Sequence, residues 1–375
     1  MQPNSPDQQP RLIVHGLDLS YFTGKLEAYL RAKGIAYERR EMTAASFRAC
    51  GRATGVLQMP QVELPDGTWL TDTTLTIRHL EAAHPDPSLL PPEPVARFIA
   101  LLIEDFGDEA LWRPALCYRW AFADDARLMG SRLARGMLRD VPLPFFLRRQ
   151  FITRRQQRVY LKRDGISRST RAAVEKVYTD TLAAMEAALE RHDFVMGERP
   201  TLADIGLFGS MFRHFFSDPT PAALMRERAP RTMAWVARLW AITPSGISGR
   251  PPIHDVPGSM AALLRLAATV HLPELAAHAT AVAKGSATAG FACNQASIQV
   301  PASPYRAWCL NELRRAFHAL SPADQACVRA LLSDTAAAGI LASSPDPEAF
   351  QVPRLPITVP PLEAPRGRDW SRPWA

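Results

Sequence analysis

Residues 20–38 read SYFTGKLEAYLRAKGIAYE, and this stretch decides the fold. Within it, Leu26, Tyr29 and Leu30 keep the i, i+3, i+4 spacing that places apolar side chains along one face of a helix. Charged residues stand between them and are suited to the opposite face. The stretch therefore predicts an amphipathic helix.

Signals for the ends of this helix, and for a strand on either side of it, frame the stretch. Thr23 is suited to cap the N-terminus of the helix. Gly34 is suited to end it, because glycine adopts a left-handed conformation without a Cβ clash. Strands are predicted over residues 11–14 and 35–42. Such a strand–helix–strand unit should have parallel strands and a right-handed crossover.

A hairpin and a second helix follow after a less regular segment. Residues 61–64 and 68–71 flank residues 65–67, which read PDG. Proline presets its own φ and glycine accepts positive φ, so this is a strong turn signal. A helix over residues 73–83 is expected next. The order βαβ, connector, ββα is that of a thioredoxin-like domain.

The rest of the chain has a mainly helical pattern, most clearly over residues 170–192. We therefore expect an α+β protein with a thioredoxin-like domain over residues 10–90 and an all-helical domain over residues 95–245. An additional helical segment is expected over residues 252–340. The proline-rich tail, residues 341–375, is expected to be irregular.

Composition and cysteine usage narrow the class of protein. The 375 residues are 47% hydrophobic and 22% charged, as in ordinary globular proteins. No apolar run is long enough to predict a membrane-spanning helix, and the polar N-terminus lacks the features of a signal peptide. Five scattered cysteines without a CxxC motif suggest neither a disulfide framework nor a zinc site. We expect a cytoplasmic protein without a metal.

One region is strongly basic within a chain of net charge +7. Residues 131–163 contain ten Lys or Arg residues, a single acid, Asp140, and four interleaved aromatic residues. We favour a solvated helix face or an inserted segment here. Peripheral contact with an anionic surface through residues 131–163 is the alternative. A specific nucleic-acid partner is not expected, because no nucleic-acid-binding motif accompanies the charge.

Three separated motifs resemble those of glutathione S-transferases. Residues 20–38 resemble the first helix and second strand of the family, where a Ser, Cys or Tyr follows strand one. Met59 and Pro60 stand where the family has a cis-proline, and the residue before it offers its backbone to the cysteinyl part of glutathione. Asp72 and Thr73 resemble the acid–Ser/Thr pair that holds the γ-glutamyl carboxylate at a helix N-terminus.

A fourth motif supports the same fold. Thr201 and Asp204 resemble the capping box that begins a buried helix in the helical domain of the family. Together the four motifs cover residues 11–245 in the expected order. The sequence over residues 25–31 is most similar to the branch that contains metaxins, failed-axon-connections proteins and related bacterial chains. Ordinary glutathione transferases have no counterpart of the sequence beyond about residue 250.

The resemblance implies a protein that binds glutathione as co-substrate and conjugates or reduces a small electrophile. It also implies a role in detoxification and a homodimer, since transferases of this fold are commonly dimers. The alternative is a non-catalytic binding or scaffold protein, as in the metaxin-like branch. No metal is implied by either.

The resemblance also implies roles for particular residues. Ser20 and Tyr21 are the candidate hydroxyls that would activate the thiol, although either could instead pack or cap the turn. The glutathione-binding set comprises Lys25, Met59, Pro60, Asp72 and Thr73, of which Asp72 and Thr73 are equally suited to capping a helix. The substrate-pocket set comprises Glu104, Asp105, Asp108, Tyr118 and Trp120.

The acidic residues of the substrate-pocket set have an alternative interpretation. Glu104 and Asp108 are four positions apart, so their like charges share a helix face and need compensation. Arg113, Arg119, bound cations or substrate would supply it. A structural ion-pair network is therefore the other interpretation of this cluster.

Overall fold

The first domain of the protein is a mixed sheet with three helices. The computed structural model describes residues 11–346, 352 and 355–358. The first domain comprises β1 (Leu12–Gly16), α1 (Tyr21–Lys33), β2 (Tyr37–Glu41), α2 (Ala44–Thr54), β3 (Gln61–Glu63), β4 (Thr68–Thr71) and α3 (Thr73–Ala83).

The strand pairing of this domain confirms the predicted βαβ and hairpin units. β1 and β2 are parallel, with Leu12 opposite Tyr37. β3 is antiparallel to both β1 and β4, so the order at this side of the sheet is β2-β1-β3-β4. The α+β fold class with a thioredoxin-like first domain is thereby confirmed.

Two local expectations for this domain differ from the structure. Ser20, not Thr23, caps α1, because the Ser20 backbone is extended and its side chain accepts a hydrogen bond from the Thr23 amide. The segment expected to be less regular contains α2, which begins with a capping box between Thr43 and Ser46. Gly34 ends α1 with φ of 67°, as expected.

The second domain is helical. Asp204 at the start of α9, in the predicted capping box, accepts hydrogen bonds from the Thr201 and Val195 amides and from the Trp235 indole. The helices are α4 (Pro94–Asp105), α5 (Trp112–Ala121), α6 (Ala123–Arg135), α7 (Phe145–Gln156), α8 (Arg171–Ala188), α9 (Leu202–Ser210), α10 (Pro219–Arg228), α11 (Pro230–Trp240) and α12 (Pro244–Ser248). A π-helical segment, Phe106–Ala110, joins α4 to α5.

In its described residues, the C-terminal segment adds five α-helices and three strands. Packing between α15 and α4 places it against the second domain. Its elements are α13 (Ala261–Leu266), α14 (Leu272–Ala283), β5 (Thr288–Cys293), β6 (Ala296–Pro301), α15 (Pro304–His318), α16 (Pro322–Leu332), α17 (Thr335–Ala342) and β7 (Ile357–Thr358).

The strands in the C-terminal segment differ from the predictions for residues 252–340 and for residues 341–375. Residues 252–340 were expected to be helical, yet β5 and β6 form a hairpin whose residues alternate between buried and exposed. This period of two is that of a half-buried strand. The tail, residues 341–375, was expected to be irregular, yet β7 pairs with β4, although much of the tail lies outside the described residues.

The continuous helical stretch 258–283, in which the π-helical segment Ala267–His271 joins α13 to α14, is long and apolar enough to cross a membrane by length and composition. It lies inside the protein instead, since Leu272 and Leu275 are fully buried. Its Glu274 carboxylate accepts two hydrogen bonds from the Arg113 guanidinium, at 2.7 and 2.8 Å. A helix with these contacts belongs to the core.

A buried ammonium group joins the first two domains. Lys25 of α1 is fully buried, and its Nζ lies 2.7 Å from Glu104 and 2.5 Å from Asp108. Burial alone would lower the pKa of Lys25, but the two carboxylates outweigh it and raise that pKa above its ordinary value. The ammonium therefore stays charged and holds α1 against the end of α4.

We expect Lys25→Met to lower the free energy of unfolding by about 3 to 5 kcal/mol, because the two carboxylates would lose their partner in the interior. Denaturant unfolding measures this loss. The matched control is Lys176→Met, which removes an exposed pair with Asp180 and should cost no more than about 1 kcal/mol. Equal losses of unfolding free energy in Lys25→Met and Lys176→Met would contradict the conclusion that the buried ammonium group joins the two domains.

A second buried network joins the C-terminal segment to the second domain. Glu274 lies between Arg113 and Arg306, at 2.7 and 3.0 Å. Burial opposes ionisation of Glu274, but the two guanidinium groups lower its pKa to about 2. Burial, with Arg306 nearby, lowers the pKa of His278 to about 4, and its Nδ1 accepts a hydrogen bond from the Ser303 amide. His278 is therefore neutral in the folded protein near neutral pH.

These shifts predict a loss of stability in acid. The unfolded chain takes up a proton at residue 278 below pH 6.5, whereas folded His278 resists protonation down to about pH 4. The melting temperature should therefore fall as the pH decreases through this window. His278→Asn keeps an acceptor for the Ser303 amide, so its melting temperature should fall less across the same window. An unchanged pH slope in the variant would refute the role of His278.

Candidate functional site

The strand register brings three of the predicted site segments to one edge of the sheet. His15, near the end of β1, lies opposite Gln61, the first residue of β3. Gln61 in turn lies opposite Thr71, the last residue of β4. The turn that follows β1, the residues just before β3 and the residues just after β4 therefore share this edge. Ser20, Pro60 and Asp72 stand in these three segments.

Ser20 stands at the N-terminus of α1, where the helix dipole favours an anion. Its Oγ accepts a hydrogen bond from the Thr23 amide at 3.2 Å. A hydroxyl accepts and donates at the same time, so this cap leaves the Ser20 proton available to a ligand. Arg119 fixes the turn, since it donates to the Leu19 carbonyl at 2.7 Å and pairs with Asp218.

The Met59-Pro60 peptide bond is cis, as the resemblance implies. Pro60 is buried, whereas Met59 is half-buried. Gln61 supports this bend, because its side-chain amide donates to the Val56 carbonyl at 2.7 Å. The peptide between Met59 and Pro60 therefore stands directly before β3, at the edge of the sheet that also carries Ser20 and Asp72.

Asp72 has an unusual backbone, with φ of 66° and ψ of 122° in a residue that is not glycine. Its carboxylate caps α3 by accepting a hydrogen bond from the Leu75 amide at 3.1 Å. Thr73, the first residue of α3, is buried. The capping interpretation and a ligand site are therefore compatible at this position.

The C-terminal segment reaches this edge through Tyr305 of α15. The Tyr305 hydroxyl donates to Asp72 Oδ2 at 2.6 Å. Burial, together with the nearby Asp72 carboxylate, raises the pKa of Tyr305 well above its ordinary value. The phenol therefore stays protonated and continues to donate.

Two other candidates point away from the edge. Tyr21 is buried and its hydroxyl donates to the Gly107 carbonyl of the π-helical segment. Lys25 is held by Glu104 and Asp108, as described above. In this structure neither side chain is available to a ligand beside Ser20.

The five substrate-pocket candidates lie in the interior or in ion pairs. Asp105 pairs with His271 at 2.6 Å. Tyr118 and Trp120 are buried, and the Tyr118 ring stacks on Phe122 with centroids 5.1 Å apart. With Glu104 and Asp108 on Lys25, this geometry agrees with the structural ion-pair network rather than with a pocket.

The compensating charges differ from those suggested by the sequence. Lys25 is the partner of both Glu104 and Asp108, whereas Arg113 pairs with Glu274 and Arg119 with Asp218. Each residue of the acidic pair therefore has a basic partner within the protein.

An open cleft of ≈ 210 Å³ flanks the turn before Ser20. Leu17, Asp18 and Leu19 of that turn form one wall. Arg132 and Arg135 of α6 line the cleft as well, so it carries charges of both signs. None of the five substrate-pocket candidates lines this cleft.

Family models match both of the first two domains. The model of the glutathione S-transferase N-terminal domain matches residues 14–88, and that of the C-terminal domain matches residues 151–242. The chain belongs to the glutathione S-transferase-like superfamily. Among curated proteins, no sequence matches the chain.

Solved structures with a similar fold include three bacterial proteins. A beta-etherase from Sphingobium sp. strain SYK-6 is 20% identical, with a TM-score of 0.46 over 64% of this chain and 99% of that one. A glutathione S-transferase from Methylobacterium radiotolerans, in complex with glutathione sulfonate, is 21% identical, with a TM-score of 0.37 over 66% and 97%. A maleylacetoacetate isomerase from Anaeromyxobacter dehalogenans is 23% identical, with a TM-score of 0.36 over 67% and 96%.

Two residues at the shared edge were not predicted from the sequence. Tyr305 is 233 positions from Asp72, and no local pattern connects them. Arg119 was considered only as a partner for the acidic cluster, whereas it holds the turn before Ser20. The contacts of Tyr305 and Arg119 join segments that are far apart in the sequence, so they depend on how the chain packs.

We expect Tyr305→Phe to lower the free energy of unfolding by about 1 to 3 kcal/mol, because a hydrogen bond to a carboxylate would be lost while the ring is retained. Thermal unfolding of the purified protein measures the change. Tyr37→Phe is the control, since that hydroxyl makes a longer bond of 3.4 Å to Glu27 and should matter less. A Tyr305→Phe variant as stable as the wild type would contradict the contact.

Proposed function

We propose that this chain binds glutathione at the edge formed by Ser20, Pro60 and Asp72 and directs its thiolate at a small electrophile. The observation that carries the proposal is the backbone of Asp72, a non-glycine residue with positive φ at the start of α3. Such strain persists where the surrounding structure over-determines it, and it is concentrated at functional sites. Asp72 shares this edge of the sheet with the N-terminus of α1 and with the cis-proline, Pro60.

Each residue has a chemical task in this proposal. The Ser20 hydroxyl donates a hydrogen bond to the sulfur, and the start of α1 adds a positive end of a helix dipole. Both favour the thiolate, so they lower the pKa of the bound thiol toward neutral pH. The peptide at Met59 offers backbone groups to an extended tripeptide.

Two residues at the N-terminus of α3 serve the γ-glutamyl group. The N-terminus of α3 at Thr73 is suited to a carboxylate, because its amides and its dipole both favour negative charge. The Asp72 carboxylate is suited to an ammonium group. The cleft beside residues 17–19 then offers space for a small, polar electrophile.

A specific observation favours a second candidate, a binding or scaffold protein that keeps the fold without transfer chemistry. Tyr305 already donates to the Asp72 carboxylate, and Lys25 is committed to the interior. These two contacts leave Asp72 and Lys25 with less hydrogen-bonding capacity for glutathione. Homodimerisation, detoxification and a cytoplasmic location stay predictions under either candidate.

Retention on immobilised glutathione, with release by free glutathione, tests the binding step. We expect Asp72→Asn to weaken retention about tenfold, because a charge-assisted contact would be lost. Absence of binding at millimolar glutathione would overturn the transferase proposal and leave the scaffold candidate.

We expect Ser20→Ala to lower kcat/KM for conjugation about a hundredfold, as for loss of one donor to a developing anion. The pH at which the rate is half-maximal should rise, because the thiol pKa would rise. Steady-state kinetics with a panel of electrophiles measures both.

The control must separate this chemistry from helix capping. Ser321 caps α16 in the same way, by accepting a hydrogen bond from the Asp324 amide. Ser321→Ala should therefore lose only the capping energy, about 1 kcal/mol, and keep its activity. If both serine variants lost activity equally, Ser20 would have no special role in the reaction.

A further inference from the structure

The α6–α7 hairpin, taken here with the π-helical segment Gln157–Leu161 that continues α7 and so spanning residues 123–161, exposes large apolar side chains to solvent. Phe146 is 61% exposed and lies in the first turn of α7, and Phe151, five positions later in the same helix, is 44% exposed. Isolated exposed apolar residues are common, but a cluster on one element marks an interaction surface. The other exposed apolar members are Leu128, Leu143 and Leu147.

The packing of α7 explains this exposure. Ile152 is the buried residue of this helix, and α7 packs on α6, where Gly130 approaches Thr153 closely. Within α7, Leu147 and Phe151 are four positions apart and share a helix face, while Leu143 lies in the connection before the helix. Among the described residues, α6 is the element against which α7 packs most extensively.

Positive charge continues along the same helix face. Arg154 and Arg158 are exposed and follow Phe151 by one and two turns. Asp140, the single acid within residues 131–163, accepts a hydrogen bond from the Ala45 amide at 2.9 Å. Within residues 131–163, ten basic residues thus stand against one acid.

We propose that the α6–α7 hairpin binds the surface of an anionic lipid membrane, with α7 lying in the plane of the interface. The apolar side chains at positions 143, 146, 147 and 151 enter the boundary between head groups and acyl chains. The guanidinium groups of Arg154 and Arg158 reach the lipid phosphates, while their stems cover apolar surface. This role is separate from the glutathione proposal, because none of these residues lies at the edge formed by Ser20, Pro60 and Asp72.

Charge and side-chain type favour a membrane over two other occupants. A second copy of the same face would place Arg154 and Arg158 close to the same residues of the copy, and these like charges repel each other. Nucleic acid would satisfy the charge but offers no partner for the aliphatic residues Leu143 and Leu147, since single strands are bound mainly by aromatic stacking. An anionic bilayer satisfies both the charge and the apolar surface.

Co-sedimentation of the full chain with vesicles tests the proposal. We expect binding to vesicles of equal parts phosphatidylserine and phosphatidylcholine, and much weaker binding to phosphatidylcholine alone. Phe146→Ser should weaken partitioning about tenfold, because one buried aromatic ring would be lost. The double variant Arg154→Gln/Arg158→Gln should also weaken it about tenfold and reduce its salt dependence.

Matched controls lie elsewhere on the surface. Leu57→Ser changes an apolar residue that is 65% exposed outside the hairpin, and Arg191→Gln changes an exposed base beyond the end of α8. Both variants should bind vesicles like the wild type, and all variants should keep the wild-type melting temperature within a few degrees. Glutathione retention of Phe146→Ser should be unchanged, which separates the two proposals.

Three outcomes would overturn the membrane proposal. The first is no co-sedimentation, or co-sedimentation that is equal for neutral and anionic vesicles. The second is a dimer that Phe146→Ser converts to a monomer, since this face would then join two copies. The third is a single-stranded oligonucleotide that binds and displaces the chain from vesicles.

Discussion

The charge of Lys25 in the interior is the constraint on which the rest of the structure depends. An ammonium group without water is costly unless carboxylates surround it, and here Glu104 and Asp108 approach within 2.7 Å. The first helix of the sheet domain is thereby fixed on the helical domain. Because the same helix begins at Ser20, this ion pair also fixes where the candidate thiol-activating hydroxyl stands.

The C-terminal segment completes the first two domains in three places. Tyr305 reaches the candidate site at Asp72, Arg306 contributes to the network around Glu274, and β7 extends the sheet at β4. The unpaired backbone groups of an outer strand can pair with another chain. Here β7, from the same chain, covers the outer side of β4 and prevents such pairing. The segment is therefore part of the structural support of the site, although neither family model matches it.

The two proposals draw on different physical features of the molecule. The glutathione proposal rests on a helix N-terminus, a cis peptide bond and a strained residue that the sheet register brings together. The membrane proposal rests on a helix whose exposed face has apolar and basic residues that solvent reaches in the described part of the chain. A transferase-type site and a peripheral lipid contact are compatible, since the exposed residues of α7 lie away from Ser20, Pro60 and Asp72.

The sequence by itself determined the elements whose signals are local. Gly34 ends α1, the PDG turn at residues 65–67 joins β3 to β4, and Thr201 begins α9, because backbone conformation there depends on neighbouring residues. The same local motifs indicated Ser20 and Asp72. Only the tertiary structure decided the partners of long, charged or aromatic side chains. Lys25 and Tyr305 each contact residues many positions away, and such contacts depend on packing that no local pattern encodes.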